Sequence, residues 1–285
     1  MKLVRYGAKG AEKPGLVDAD GKLRDLSAHV PDIAGDALTP QGLARLKAVD
    51  PKSLPLVSGN PRLGAPIGSI GKFMCIGANY RDHIAESTNP IPVPAEPIVF
   101  NKWDTSIGGP NDPITIPKGS QKTDWEAELA VVIGRTAKHV SKESALDYVA
   151  GYTICNDVSE REWQHKRMGQ WQKGKACDGF GPLGPWLVTT DEIKDPQTLP
   201  IWLEVNGHRY QNGNTKDMIF DCAFLISYLS DFFTLQPGDV IATGTPAGVG
   251  GAIKPNPVFL KPGDVVTVGI GGLSKQVTEF VAYKG

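Results

Sequence analysis

The run Thr123-Asp124-Trp125-Glu126-Ala127-Glu128-Leu129-Ala130-Val131-Val132-Ile133-Gly134 limits what this chain can fold into. Its apolar part is rich in β-branched residues and stops at a glycine, which predicts a β-strand. Side chains on a strand alternate faces. Glu126 and Glu128 therefore share one face, while Trp125, Ala127, Leu129, Val131 and Ile133 take the other. Two carboxylates side by side on an apolar strand repel each other unless they are solvated, protonated, paired with a base or bound to a cation. On its own, Glu-x-Glu reads as a solvated strand face. Here a third acid, Asp157, follows a second apolar run, Gly151-Tyr152-Thr153-Ile154-Cys155-Asn156. Three hard oxygen ligands, with water completing the shell, suit Mg²⁺, Mn²⁺ or Ca²⁺ better than zinc.

Charge and composition exclude several classes. The formal net charge is −1 and no long basic run exists, which argues against a nucleic-acid partner. No apolar stretch approaches the roughly 18 residues of a membrane span. The start, Met1-Lys2-Leu3-Val4-Arg5-Tyr6, carries charges where a signal peptide needs its apolar core, so a cytoplasmic location is expected. Cys75, Cys155, Cys177 and Cys222 are widely spaced, which favours reduced thiols over a disulfide framework or a zinc site. The 285 residues allow a large domain and a small one, and 33 glycines with 23 prolines fit a β-rich fold with many turns.

Residues 1–70 read as a small unit and 71–285 as the main domain. The first holds a strand at Leu3-Val4-Arg5-Tyr6, a hairpin with Asp20-Gly21 at its tip, and a short helix capped by Thr39. A Pro/Gly-rich connector runs from Pro51 to Gly71, and His29 is expected on the surface or in a turn. Phe73-Met74-Cys75-Ile76-Gly77 opens the main domain as a buried strand. If the chain is helical from Tyr80, His83 and Glu86 stand at i and i+3 and can touch. A carboxylate beside a histidine fixes its tautomer, which suits a general base; the plainer alternative is a surface ion pair. The proline-rich stretch Pro90–Pro97 reads as a mobile loop near His83, and Ile98–Lys102 as a further strand. Ser141–Val149 is expected as a capped helix, and Ser159–Arg167 as a helix with Arg161 and Gln164 on one face. Gly174–Pro182 is expected as a loop presenting Lys175. Asn206-Gly207 predicts a hairpin, Asp221–Phe233 an apolar helix, and Pro237-Gly238-Asp239 and Pro262-Gly263-Asp264 matching turns before strands. Thr243–Gly250 lacks Gly-x-Gly-x-x-Gly spacing, so it reads as a loop whose backbone approaches a ligand closely and not as a dinucleotide site.

Several of these segments together resemble the fumarylacetoacetate hydrolase family. They are Ile76–Glu86, Gly109–Ile114, Thr123–Leu129, Asn156–Arg161, Gly174–Asp178 and Gly244–Gly250, in the family's order and within about residues 71–285. The resemblance implies a mixed β-roll with a small N-terminal α+β domain, an α+β, β-rich fold overall. It implies that Glu126, Glu128 and Asp157 ligate Mg²⁺ or Mn²⁺, that His83 and Glu86 form a base dyad, and that Lys175 faces the reacting carbonyl. It further implies that Tyr80, Arg161 and Gln164 contact substrate, that Thr245 meets a substrate carboxylate, and that the protein is a homodimer. One departure is Gly179, where many relatives carry threonine in Asp-Thr-Phe-Gly-Pro; a looser loop behind Lys175 is the expected consequence.

The implied activity is hydrolysis of the C3–C4 bond of a 2,4-dioxo acid to pyruvate and a carboxylic acid. Water activated by His83 would attack C4, with Lys175 stabilising the oxyanion. The length and the Met1–Gly7 start are similar to those of members acting on 2,4-diketo-3-deoxy sugar acids such as the rhamnonate or fuconate, and also to a group named ureidoglycolate lyase. The alternatives are that lyase activity, an oxaloacetate-type decarboxylase, and a non-catalytic binding homologue. Retention of His83, Glu86 and Lys175 speaks against the last.

Overall fold

The computed structural model describes residues 1–87 and 92–285. Its core is a mixed sheet with the expected acidic strand near the middle. In spatial order the strands are Leu23–Asp25, Lys13–Val17, Lys2–Tyr6, Gly181–Thr189, Val149–Asn156, Ala127–Ile133, Val240–Ala242, Phe73–Gly77 and Ile98–Lys102. Most neighbours are antiparallel, but Val240–Ala242 runs parallel to Phe73–Gly77. A second sheet orders His208–Asn214, Pro200–Val205, Val265–Ile270, Ser274–Val281 and Ile114–Thr115. The protein is therefore β-rich with few helices, as the sequence implied. The sheet also runs unbroken across the expected boundary at residue 70, because Lys2 and Leu3 pair with Val188 and Leu187.

Every residue of Ala127–Ile133 is buried, which is why alternation there separates two cores and not a core from solvent. On one face Ala127, Leu129, Val131 and Ile133 join Trp125, Ile154, Ile201, Leu203 and Val268. On the other, Ala130 and Val132 join Leu3, Phe73, Cys75, Val240 and Leu183. Each buried Leu, Ile or Val contributes about 1.5–3 kcal/mol. Glu126 and Glu128 continue the second face, at its end. The strand's apolar half anchors both acids; cations meet Glu126, and among the described residues Glu128 accepts only the Gly244 amide.

Turn chemistry does the rest. Gly238 and Gly263 adopt φ of +97° and +93° in the two matching turns, which an L side chain would resist. The Asp239 carboxylate accepts from the Lys72 and Gln236 amides at 2.8 Å and pairs with Lys72 Nζ at 2.9 Å, fixing the connector to the sheet. Thr39 caps Pro40–Lys47 as its sequence predicts, and the expected apolar helix runs over Cys222–Phe232 with Asp221 as its cap. The expected capped helix after Ser141 is instead 3₁₀ over Lys142–Tyr148, and Ser141 makes no side-chain cap. Ser159-Glu160 is a short strand paired with Thr123-Asp124, so the following helix starts only at Arg161. Glu160, not a serine, caps it, accepting from the Glu162 amide.

Candidate active site

The strand ends converge on a cavity of about 610 Å³. Glu126, Glu128, His83, Glu86, Arg161, Gln164, Lys175 and Thr245 all line it. Glu126, Glu128 and Asp157 each offer an oxygen within 4.8 Å of the other two, and all three residues are buried. Backbone pairing sets this geometry. The Asp157 amide donates to the Glu126 carbonyl at 2.9 Å, and the Glu126 amide to Asn156 Oδ1 at 3.0 Å.

Three cations meet these acids. Lys175 Nζ donates to Glu126 Oε2 at 2.6 Å and to Asp157 Oδ2 at 2.8 Å. Arg161 Nη1 donates to Glu126 Oε1 at 2.6 Å. Lys102 Nζ lies 2.7 Å from Asp157 Oδ1, but Oδ1 receives no hydrogen bond of proper geometry. Burial would raise the Glu126 carboxyl, yet Lys175, Arg161 and His83 hold it well below the ordinary carboxylate range. Glu128 goes the other way: burial, then the charges of Asp157 and Glu126, push it well up, and the Gly244 amide at 2.9 Å does not offset them. Burial alone would lower Lys175, but Asp157 and Glu126 raise it, so its ammonium stays charged. The donor set is all oxygen, one buried Asp157 oxygen lacks a donor, and Glu128 has no cation of its own. A hard divalent cation fits this set.

His83 and Glu86 meet, as their three-residue spacing predicts. The helix Arg81–Glu86 places His83 Nδ1 2.7 Å from Glu86 Oε1. Glu86 Oε2 in turn accepts the Gly248 amide at 2.7 Å. The glycine-rich loop thus spends two backbone donors, those of Gly244 and Gly248, on site carboxylates. Thr245 Oγ1 donates to the Ala127 carbonyl at 2.8 Å and accepts from Gln211, which fixes it at the cavity wall.

Three expectations are corrected. Tyr80 does not line the cavity: it is fully buried, and its hydroxyl has no hydrogen-bond partner. Lys175 is not on an open loop but ends a short helix, Gln172–Lys175, and its ammonium lies against two acids under the Phe100 ring, 5.2 Å from the centroid. The segment behind it is not loosened by Gly179. That glycine adopts φ +76°, where a threonine would be strained, and its amide donates to the Thr105 carbonyl at 3.0 Å. Of the Pro90–Pro97 stretch, Pro90 and Ile91 lie outside the described residues, and none of Pro92–Pro97 lines the cavity.

Lys102 went unnoticed in the sequence. Its Nζ donates to the carbonyls of Val158 at 3.2 Å, Phe180 at 2.9 Å and Lys175, beside the Asp157 contact. It ties three segments of the site together. The available signal was a lysine closing the strand Ile98–Lys102, where a charge at a buried register position needs several acceptors. His165 and Trp171 also line the cavity without having been singled out.

The Lys175 contacts give a prediction. Lys175→Met should lower kcat by about 10²–10³-fold, the scale of losing one transition-state donor. Removing its positive charge from Glu126 and Asp157 should also tighten Mn²⁺ binding, measurable by calorimetry. A rise in KM alone would make Lys175 only a substrate-binding charge.

Comparison with known proteins agrees with this geometry. A Burkholderia lata protein, provisionally named a hydrolase, is 65% identical over 277 residues, covering 97% of this chain and 98% of its own. The solved fumarylacetoacetate hydrolase from psychrophilic Exiguobacterium antarcticum is 37% identical with a TM-score of 0.87, covering 99% of this chain and 100% of that one. Maleylpyruvate hydrolase from Sphingobium sp. SYK-6, solved with manganese(II) and pyruvate, is 28% identical with a TM-score of 0.81, and each chain is covered completely. Residues 72–281 match the family described as fumarylacetoacetate (FAA) hydrolase C-terminal, and the chain belongs to that family of hydrolase-like enzymes.

Proposed function

We propose that this protein is a Mg²⁺- or Mn²⁺-dependent hydrolase that cleaves the C3–C4 bond of a 2,4-dioxo acid, giving pyruvate and a carboxylic acid. The observation that carries the reading is the meeting of three parts at one cavity: Glu126 and Glu128 with Asp157 just behind them, the His83–Glu86 pair and the buried Lys175. Glu126, Glu128 and Asp157 would hold the cation, which would act as a Lewis acid toward substrate oxygens. The neighbour solved with manganese and pyruvate supports the same pairing of metal and product class.

The chain's own groups supply the remaining chemistry. In this reading the Glu86 carboxylate accepts from His83 Nδ1 and leaves Nε2 as the base. The Gly248 amide holds Glu86 in that role. His83 takes a proton from water as the water adds to the C4 carbonyl. Lys175 stabilises the oxygen charge that develops. The C3–C4 bond then breaks, its electron pair goes to C3, and a proton there completes pyruvate.

For the acyl part we propose a 2,4-diketo-3-deoxy sugar acid. Beyond the triad the cavity is lined by Lys122, Glu162, Gln164, His165 and Lys166, groups able to hydrogen-bond hydroxyls. A homodimer and a cytoplasmic location belong to the same proposal. Among the described residues no helix is long and apolar enough to cross a membrane.

The test is oxygen bookkeeping in H₂¹⁸O. Candidate 2,4-dioxo acids, oxaloacetate and ureidoglycolate would be supplied with Mg²⁺. Hydrolysis at C4 places one ¹⁸O per turnover in the carboxylate of the released acid, read by mass spectrometry. Carbon dioxide from oxaloacetate, or glyoxylate with no solvent oxygen, would replace this reading with a decarboxylase or a lyase.

A further inference from the structure

Asp124 is completely buried and spends both carboxylate oxygens. Oδ1 accepts from the amides of Trp125 at 2.8 Å and Gly250 at 2.7 Å. Oδ2 accepts from the Gly251 amide at 2.8 Å and from Arg161 Nε at 2.7 Å. One side chain thus ties the root of the acidic strand to the glycine turn Gly250–Ala252 and to the helix that begins at Arg161.

The effect falls on the guanidinium. Its Nε is taken by Asp124, and Nη1 by Glu126 at 2.6 Å with Gln164 at 3.3 Å. Nη2 has no partner, although Arg161 and Gly251 both line the cavity. A planar fork anchored at Nε and Nη1 has its third nitrogen aimed in one direction. A buried guanidinium donor without an acceptor is costly, and a ligand oxygen is the acceptor this site lacks.

We propose that Asp124 is a positioning residue, which aims Arg161 Nη2 at a carboxylate or carbonyl oxygen of the substrate. It does not touch substrate itself. The proposal rests on the 2-oxo acid reading given above. Asn at 124 separates the two halves of its role. Its one oxygen can still accept from Trp125 and Gly250, while its amide nitrogen would face Arg161 Nε and the Gly251 amide, donor against donor.

The test uses protein saturated with Mn²⁺ and pyruvate as the probe, with affinity read by calorimetry. Asp124→Asn should weaken pyruvate binding by about tenfold or more. In an Arg161→Met background the same change should cost almost nothing, because the route from Asp124 to the ligand is already cut. An equal loss in both backgrounds would make Asp124 merely structural and overturn the proposal. Unchanged binding in Asp124→Asn would also overturn it. Wild-type protein that binds Mn²⁺ but no pyruvate would bring down the 2-oxo acid reading, and this inference with it. Should Asp124→Asn not fold, Arg161→Lys decides the matter with Asp124 intact. Lysine keeps the charge but loses the Nε anchor, so it should bind pyruvate as weakly as Arg161→Met. Wild-type affinity in Arg161→Lys would overturn the proposal.

Discussion

His83→Ala should reduce hydrolysis by about 10²–10⁴-fold, the usual cost of losing a general base. The geometry makes this loss specific. His83 touches Glu86 and is not among the grouped acidic ligands, so the variant should keep its Mn²⁺ affinity. It should also still exchange the C3 protons of pyruvate with deuterium when Mg²⁺ is present, a reaction that needs no attacking water. Glu86→Gln should fall between wild type and His83→Ala. A glutamine can no longer hold the His83 proton with one oxygen and the Gly248 amide with the other; one of those contacts must meet an NH₂ group. If His83→Ala lost its metal, or hydrolysed substrate at the wild-type rate, His83 would not be the base.

Thorough chelation with EDTA should abolish activity and lower the melting temperature, and Mg²⁺ or Mn²⁺ should restore both. Binding to the native state alone adds about 2.7 kcal/mol at a ligand concentration of 100 Kd, which for a chain of this size is roughly 4–5 °C. The triad explains the direction. Without a cation Glu126 and Asp157 still have Lys175, Arg161 and Lys102 against them, and the uncompensated burden rests on Glu128. Glu128→Gln should therefore abolish the metal-dependent rise in melting temperature, while the metal-free variant should be at least as stable as wild type. Calorimetry with and without Mn²⁺ reads both. Full activity after chelation would defeat the metal reading.

The site was legible where a local rule carried it. Strand alternation put Glu126 and Glu128 on one face, and the three-residue spacing brought His83 to Glu86. Asp157 was readable from the apolar run before it. What escaped depended on distant partners. Nothing near Lys102 in the sequence announces the carbonyls of Val158 and Phe180, which lie 56 and 78 residues away. Asp124 stood inside the most informative stretch, but its meaning lies in Arg161 and the Gly250–Gly251 turn. Tyr80 was misplaced because a motif says which residues recur together and not which way each side chain packs. Turns, hairpins and caps were local and came through, except at Ser141, where the chain tightens into a 3₁₀ helix without using the serine.

The strand Val240–Ala242 sits between Ala127–Ile133 and Phe73–Gly77, so its two neighbours leave the ribosome long before it does. Until it arrives, both present bare backbone donors and acceptors in the middle of the future sheet. His83, Glu126 and Glu128 stand on or beside the elements that this late strand joins, and the loop holding Glu86 and Glu128 in place follows it directly. Assembly of the catalytic centre is therefore a closing event in the life of the nascent chain. Slow, chaperone-sensitive maturation follows from sequence-distant pairing of this kind.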